Sequence, residues 1–116
     1  MKKPAYSYKV KEIIKVLDGD TVDLLIDLGF HVFVKKRVRL YGINAPETRT
    51  RDLKEKKLGL ASKEKLKSLL SAKELILESH GLGKYGRVIG TIHHEDIDIN
   101  RTMVLEGFAS AYEFSK

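Results

Sequence analysis

Three runs of alternating apolar and polar residues occupy most of the first 43 positions, and they commit this part of the chain to an antiparallel β meander. In residues 9 to 17, Val10, Ile14 and Val16 share one parity and Lys9, Lys11 and Lys15 the other, the two-residue period of a half-buried strand. Ile13 departs from that pattern. Asp18-Gly19-Asp20 is a turn sequence, after which Val22, Leu24, Ile26 and Leu28 alternate with Thr21, Asp23 and Asp27 in a second strand, forming a hairpin with the first. Gly29 permits the next turn. Residues 32 to 43 resume strand character through Val32, Phe33, Val34, Val38, Leu40 and Ile43, with Arg37, Arg39 and Tyr41 on the parity opposite to Val38 and Leu40.

Pro46 removes a backbone donor and biases Ala45 away from helix, so residues 42 to 48 read as a loop. Asp52 and Glu55 have the spacing of a capping box, and Leu58, Ala61, Leu66, Leu69 and Leu70 lay an apolar stripe along a helix expected to end near Ser71. Residues 74 to 78 and 87 to 93 read as strands joined by the glycine-rich stretch from Gly81 to Gly86, a second hairpin. Asp98 caps a short helix carrying Ile99, Met103, Val104 and Leu105, stopped by Gly107. With 116 residues the chain accommodates one core, so residues 1–116 are read as a single domain. Three strands, a helix, two strands and a closing helix predict a mainly β, α+β fold: a five-stranded OB-fold barrel with an inserted helix and a C-terminal helix.

The net charge of +6 favours an anionic partner. All of the excess falls in residues 49 to 73, which hold nine basic side chains against three acidic ones. A run of this kind is ordinarily a solvated helix face, although Arg49 and Arg51, just ahead of the helix, are candidate substrate contacts. The absence of cysteine excludes disulfides, thiolate zinc sites and cysteine nucleophiles. No apolar run approaches a membrane span, and no signal peptide follows Met1, so a cytoplasmic protein without a membrane partner is expected unless a leader has been removed. No dinucleotide, P-loop or nucleophile-elbow pattern occurs.

Asp18 and Asp20 place two carboxylates at a strand junction, where an Asp-Gly turn is expected on backbone grounds and an oxygen site for a hard cation is the functional alternative. Asp20 shares the parity of Val22 and Leu24 and so points to the barrel mouth. Arg39, Asn44 and Glu47 could face the same rim. Lys84, Tyr85 and Arg87 put two cations and an aromatic ring on a glycine loop, a suitable surface for phosphate and base, or else an ordinary turn with solvated ends. His93 and His94 are neighbours on a strand and point to opposite faces, a poor arrangement for one metal.

Four motifs stand in order between residues 18 and 112: Asp-Gly-Asp-Thr-Val, then Val-Arg-Leu-x-Gly-Ile-Asn-Ala-Pro-Glu-Thr, then Lys-Tyr-Gly-Arg, then Val-Leu-Glu-Gly-Phe-Ala-x-Ala-Tyr. In this spacing the chain closely resembles the staphylococcal nuclease-like (thermonuclease) family. The resemblance implies an OB-fold, calcium-dependent phosphodiesterase that cleaves DNA and RNA with little sequence specificity and leaves 3′-phosphate ends. It further implies that Asp20 is a calcium ligand with Asp18 behind it, that Ala45 offers its backbone carbonyl to the ion, and that Arg39 and Arg87 clamp the phosphate. By the same resemblance Glu47 matches the general base, while Tyr85 and Tyr112, with Lys84 beside them, line the nucleotide pocket.

Asn44 departs from the family pattern, because it stands where an aspartate supplies a second metal-binding carboxylate. An amide oxygen can still ligate Ca²⁺, but with one fewer charge the single ion is expected to bind more weakly. The substrate expected is single-stranded or flexible nucleic acid, and the protein is expected to act as a monomer. The competing reading is a non-catalytic nucleic-acid-binding OB-fold module in which the metal site has weakened.

Overall fold

The computed structural model describes residues 6–113. Strand β1 (Tyr6–Asp18) runs antiparallel to β2 (Thr21–Asp27), and β2 to β3 (Phe33–Leu40), which is the expected meander. Strand β5 (Leu75–Leu82) returns beside β1, and β6 (Val88–His94) pairs with β5. The barrel closes where β3 and β6 run parallel, with Val38 opposite Val88 and Leu40 opposite Gly90. Closure removes the sheet edges that an open five-stranded sheet would present at this point. The result is the closed five-stranded barrel with two helices anticipated for an OB-fold.

Short elements absent from the sequence reading complete the rim. Strand character stops at Leu40 and not at Ile43, because Tyr41 and Gly42 form a turn; β4 (Ile43–Asn44) then pairs with β8 (Ser110–Ala111). A further pair, β7 (Ile97–Asp98), attaches to the end of β6. Strand β5 runs on to Leu82, well past residue 78, and a 3-10 turn over Lys84–Gly86 makes the connection to β6.

Strand β1 corrects the simple parity argument. Its register slips against β2 between Val10 and Glu12, between Ile13 and Lys15, and again between Val16 and Asp18. Each bulge moves the inward position by one residue, so Val10, Ile13 and Val16 face the core while Ile14 is exposed. Ile13 was thus the informative residue, not the exception.

Helix α1 (Leu53–Leu69) begins where expected, with the Asp52 carboxylate accepting from the backbone N–H of Lys54 and Glu55. The C-terminal half of the expected stripe holds, with Leu66 and Leu70 buried and Leu69 packed against the core, but in the N-terminal half Gly59 and Ser62 are buried whereas Leu58 and Ala61 are exposed. The reason is proximity. A Cβ on Gly59 would lie 2.3 Å from the Glu47 carbonyl oxygen, and one on Gly19 would lie 2.6 Å from Ser62 Cβ, so only small residues fit where the helix crosses the turn and the loop. Helix α2 (Ile99–Leu105) is capped by Asp98, which accepts from Arg101 N–H, and ends before Gly107. Ile99 and Met103 enter the core, while Leu105 is exposed.

Candidate active site and nucleic-acid interface

The site is built on the turn between β1 and β2. Asp20 is 7% exposed; its Oδ1 accepts from Thr21 Oγ1 at 2.9 Å and its Oδ2 from the Ala45 backbone N–H at 2.8 Å. Asp18 makes the parallel contact further along: its Oδ1 accepts from Thr48 N–H at 3.1 Å and Thr48 Oγ1 at 2.7 Å. The two aspartates therefore tack down the loop on either side of Pro46 and Glu47, which no local sequence signal announces. With the Glu47 carbonyl against Gly59, the loop has a third fixed point.

Arg39 crosses this arrangement from β3. Its NH1 donates to the carbonyls of Leu40 at 2.9 Å and Ile43 at 2.8 Å, and its NH2 lies 3.4 Å from Asn44 Oδ1 and 3.6 Å from Asp20 Oδ2. The Tyr112 ring stands 5.9 Å from the guanidinium, within cation–π range. Asp20, Arg39, Asn44, Ala45 and Tyr112 are thus one connected group at the barrel rim. The Ala45 contact runs through its N–H.

Two open clefts flank the group. One, of about 840 Å³, lies between the Asn44–Glu47 loop, the start of α1 and the chain after α2. Exposed Glu47 lines it, with Asp52, Glu55, Leu58 and Phe108. The other, of about 620 Å³, is lined by Asp18 and Thr21 of the turn, Asp23 of β2, Lys35 and Arg37 of β3, and Tyr85 and Arg87. Arg87 Nε is buried there and has no hydrogen-bond partner, while Tyr85 projects from the 3-10 turn at 94% exposure with φ +62°. A bulky side chain in the left-handed region is costly, and such strain collects at ligand-contacting turns.

Other expected residues stand apart. Lys84, Arg49 and Arg51 are exposed and line neither cleft. His93 Nε2 contacts Glu78 Oε1 at 2.8 Å, and His94 Nδ1 contacts the Lys73 carbonyl at 2.9 Å. Two residues went unassigned in the sequence: Lys35 and Arg37. Their signal was present, because Lys35, Arg37 and Arg39 recur every second residue on one strand face. Arg37 is oriented by Asp23, donating from Nε to Oδ1 at 2.8 Å and from NH2 to Oδ2 at 3.2 Å. That hydrogen bond, more than opposing burial, holds the Asp23 carboxyl below its ordinary range and raises Arg37 above its own.

The model of a family described as "Staphylococcal nuclease homologue" matches residues 37–116. The chain belongs to the staphylococcal nuclease homologue family. The matched part contains Arg39, Asn44, Glu47 and Arg87; the turn with Asp18 and Asp20 precedes it. Curated relatives extend over that turn. An "Uncharacterized endonuclease" of Escherichia coli is 33% identical over 102 residues, covering 87% of this chain and 60% of its own length. "Micrococcal nuclease" of Shigella flexneri is 29% identical over 120 residues, 96% of this chain and 63% of its own. "Protein ParB" of Escherichia coli is 28% identical over 120 residues, 96% of this chain and 62% of its own. The chain therefore spans about three fifths of the length of these relatives.

The donor set at the rim suits a hard cation in kind, since Asp20 and Asn44 offer only oxygen. A carboxylate has about four lone-pair directions, and hydrogen bonds from Thr21 and Ala45 use two of them. In charge the set is poor: among the described residues no cluster of three or more His, Cys, Asp or Glu side chains could hold a metal. Asp20 and Asn44 would give a cation one carboxylate and one amide oxygen, both within reach of Arg39, and its other ligands would have to come from elsewhere.

Proposed function

We propose that this chain is a metal-assisted nuclease that hydrolyses phosphodiester bonds in DNA and RNA with little sequence preference. The observation that carries this reading is Arg87, which lines a cleft together with Asp18 and Thr21 on either side of Asp20 and whose buried Nε has no hydrogen-bond partner. A buried charged donor without an acceptor is expensive in the free protein, and a phosphate oxygen is the acceptor that a guanidinium fork fits best. Family membership supports the same chemistry.

In this mechanism Arg87 and Arg39 hold the non-bridging oxygens and stabilise the charge that grows on them as water attacks phosphorus. Glu47, exposed beside its cleft on a loop with three fixed points, takes the proton from the attacking water. The phosphorus–O5′ bond breaks, the 5′ oxygen takes a proton from solvent, and the phosphate stays on the 3′ side. Asp20, Asn44 and the Ala45 carbonyl would hold one calcium ion, which would neutralise phosphate charge and polarise water. Tyr85 and Tyr112 stack with bases or sugars, which every nucleotide offers, and Lys84 adds charge; no base-edge reader is required.

The deciding measurement is cleavage of single-stranded DNA and RNA across Ca²⁺, Mg²⁺ and Mn²⁺, with end-group analysis. Expected are cleavage dependent on a divalent ion, 3′-phosphate products, and a large loss of turnover in Glu47→Gln with nucleotide binding retained. Binding without cleavage under every metal, unchanged by Asn44→Asp, would establish a non-catalytic binding module instead. That alternative draws on Asn44 and on the low charge of the donor set.

A further inference from the structure

The cleft that holds Arg87 continues past it along the outer face of β3. Thr21, Asp23 and Leu25 of β2 lie opposite Arg39, Arg37 and Lys35 of β3. Alternate residues of a strand share a face and stand about 6.8 Å apart. Arg39, Arg37 and Lys35 are therefore basic residues whose backbone positions repeat at that interval, starting at the rim group and leading away from it. This interval is close to the separation of successive phosphates in an extended single strand.

We infer that Lys35 and Arg37 form a phosphate-tracking extension of the active site, taking the backbone phosphates next to the one held by Arg39 and Arg87. The inference rests on the nuclease reading and adds the direction in which the substrate runs. The face is accessible, with Lys35 exposed and the Arg37 side chain 51% exposed. Asp23 uses two of the five guanidinium donors of Arg37, so the ion pair fixes the side chain's orientation and leaves three donors. Asp23 cancels the Arg37 charge at long range, which makes Lys35 the net cation of the extension and Arg37 its directional hydrogen-bond donor. Tyr85, exposed in the same cleft, supplies a stacking surface. The track favours a single strand several nucleotides long over a dinucleotide.

The test is the salt dependence of binding for a dinucleotide and a pentanucleotide, measured on the full chain carrying Glu47→Gln to prevent cleavage. Each phosphate contact on a single strand contributes about 0.7 to the slope of log K against log salt. In the Glu47→Gln background the pentanucleotide is expected to bind more tightly than the dinucleotide and with a steeper slope. Adding Lys35→Gln should reduce the pentanucleotide slope by about 0.7 and weaken its binding severalfold. Lys36→Gln, on the opposite parity of the same strand, should leave both unchanged. Because Arg37→Gln leaves Asp23 unpaired and can disturb the fold, the Lys35 variant decides the matter. Tight pentanucleotide binding that is indifferent to Lys35→Gln overturns the inference and leaves the nuclease reading standing. Failure to bind either oligonucleotide, in this background and without Glu47→Gln, overturns both.

Discussion

Arg39 lies in β3 and Arg87 just before its partner strand β6, and both are proposed to hold the same phosphate, yet the fold surrounds them differently. Arg39 is 9% exposed and engaged by two carbonyls, the Asn44 amide, the Asp20 carboxylate and the Tyr112 ring. Arg87 has a buried Nε with no acceptor. The first arginine holds the rim together before any ligand arrives, and in the proposed mechanism its role at the phosphate is inseparable from its contribution to stability. The second is kept ready at a cost to stability, and a ligand would relieve that cost. Protein hydrogen bonds fix the geometry of one region, while the other has a buried donor that no protein acceptor satisfies.

Four outcomes would sharpen or break this contrast. Arg39→Ala should have the largest effect on folding, about 3 kcal/mol or more, because it strips a buried carboxylate of its counter-charge; urea denaturation reads this as a lower midpoint. A midpoint equal to that of the unmutated chain would mean that the rim group is not structural. Arg87→Ala should instead cost about 3 kcal/mol in the transition state, a fall in turnover of the order of 10²-fold or more, with the urea midpoint unchanged or raised. Equal stability losses in the two variants would erase the distinction between them.

Gly59→Ala comes next, at about 1–3 kcal/mol, because the new methyl meets the Glu47 carbonyl and either the helix or the loop must shift. Turnover should fall along with stability, since Glu47 rides on that loop; full turnover in the folded variant would show that the position of the loop is not critical. The smallest effect concerns the Asp23–Arg37 pair. Its folded carboxyl titrates below the unfolded one, so the pair adds stability above about pH 4 and loses it as pH falls through the lowered value. Arg37 is half exposed, so the contribution should be under about 1 kcal/mol. Acid denaturation of Asp23→Asn should show a shallower loss of stability below pH 4 than the parent chain.

Where local chemistry governs, the sequence was readable. The two-residue alternation in β2, the turn at residues 18 to 20, the Asp52 and Asp98 caps and the stop at Gly107 all follow from backbone preferences that need no distant partner. Local pattern misleads where a contact from elsewhere in the chain decides. The β1 bulges invert the roles of Ile13 and Ile14 because register against β2 and barrel curvature override parity. Apolar spacing places Leu66, Leu69 and the C-cap Leu70 of α1 correctly against the core, but its N-terminal half packs through Gly59 and Ser62 in place of Leu58 and Ala61, because there it crosses a loop too close for larger side chains. Asp18 and Asp20 were legible as a carboxylate pair, whereas their bonds to Thr48 and Ala45, some 25 to 30 residues away, were not.

The sequence by itself determined which chemical groups this chain has to work with: oxygen donors without thiols, a carboxylate in a proline loop, one arginine on a strand and another after a glycine turn, all in the order of a known family. Only the tertiary structure decided which of those groups satisfy one another and which are left for a ligand. Residue type sets what a side chain can bond to, but whether a partner is already within reach depends on the closing of the barrel, through which β3 and β6 bring distant segments together.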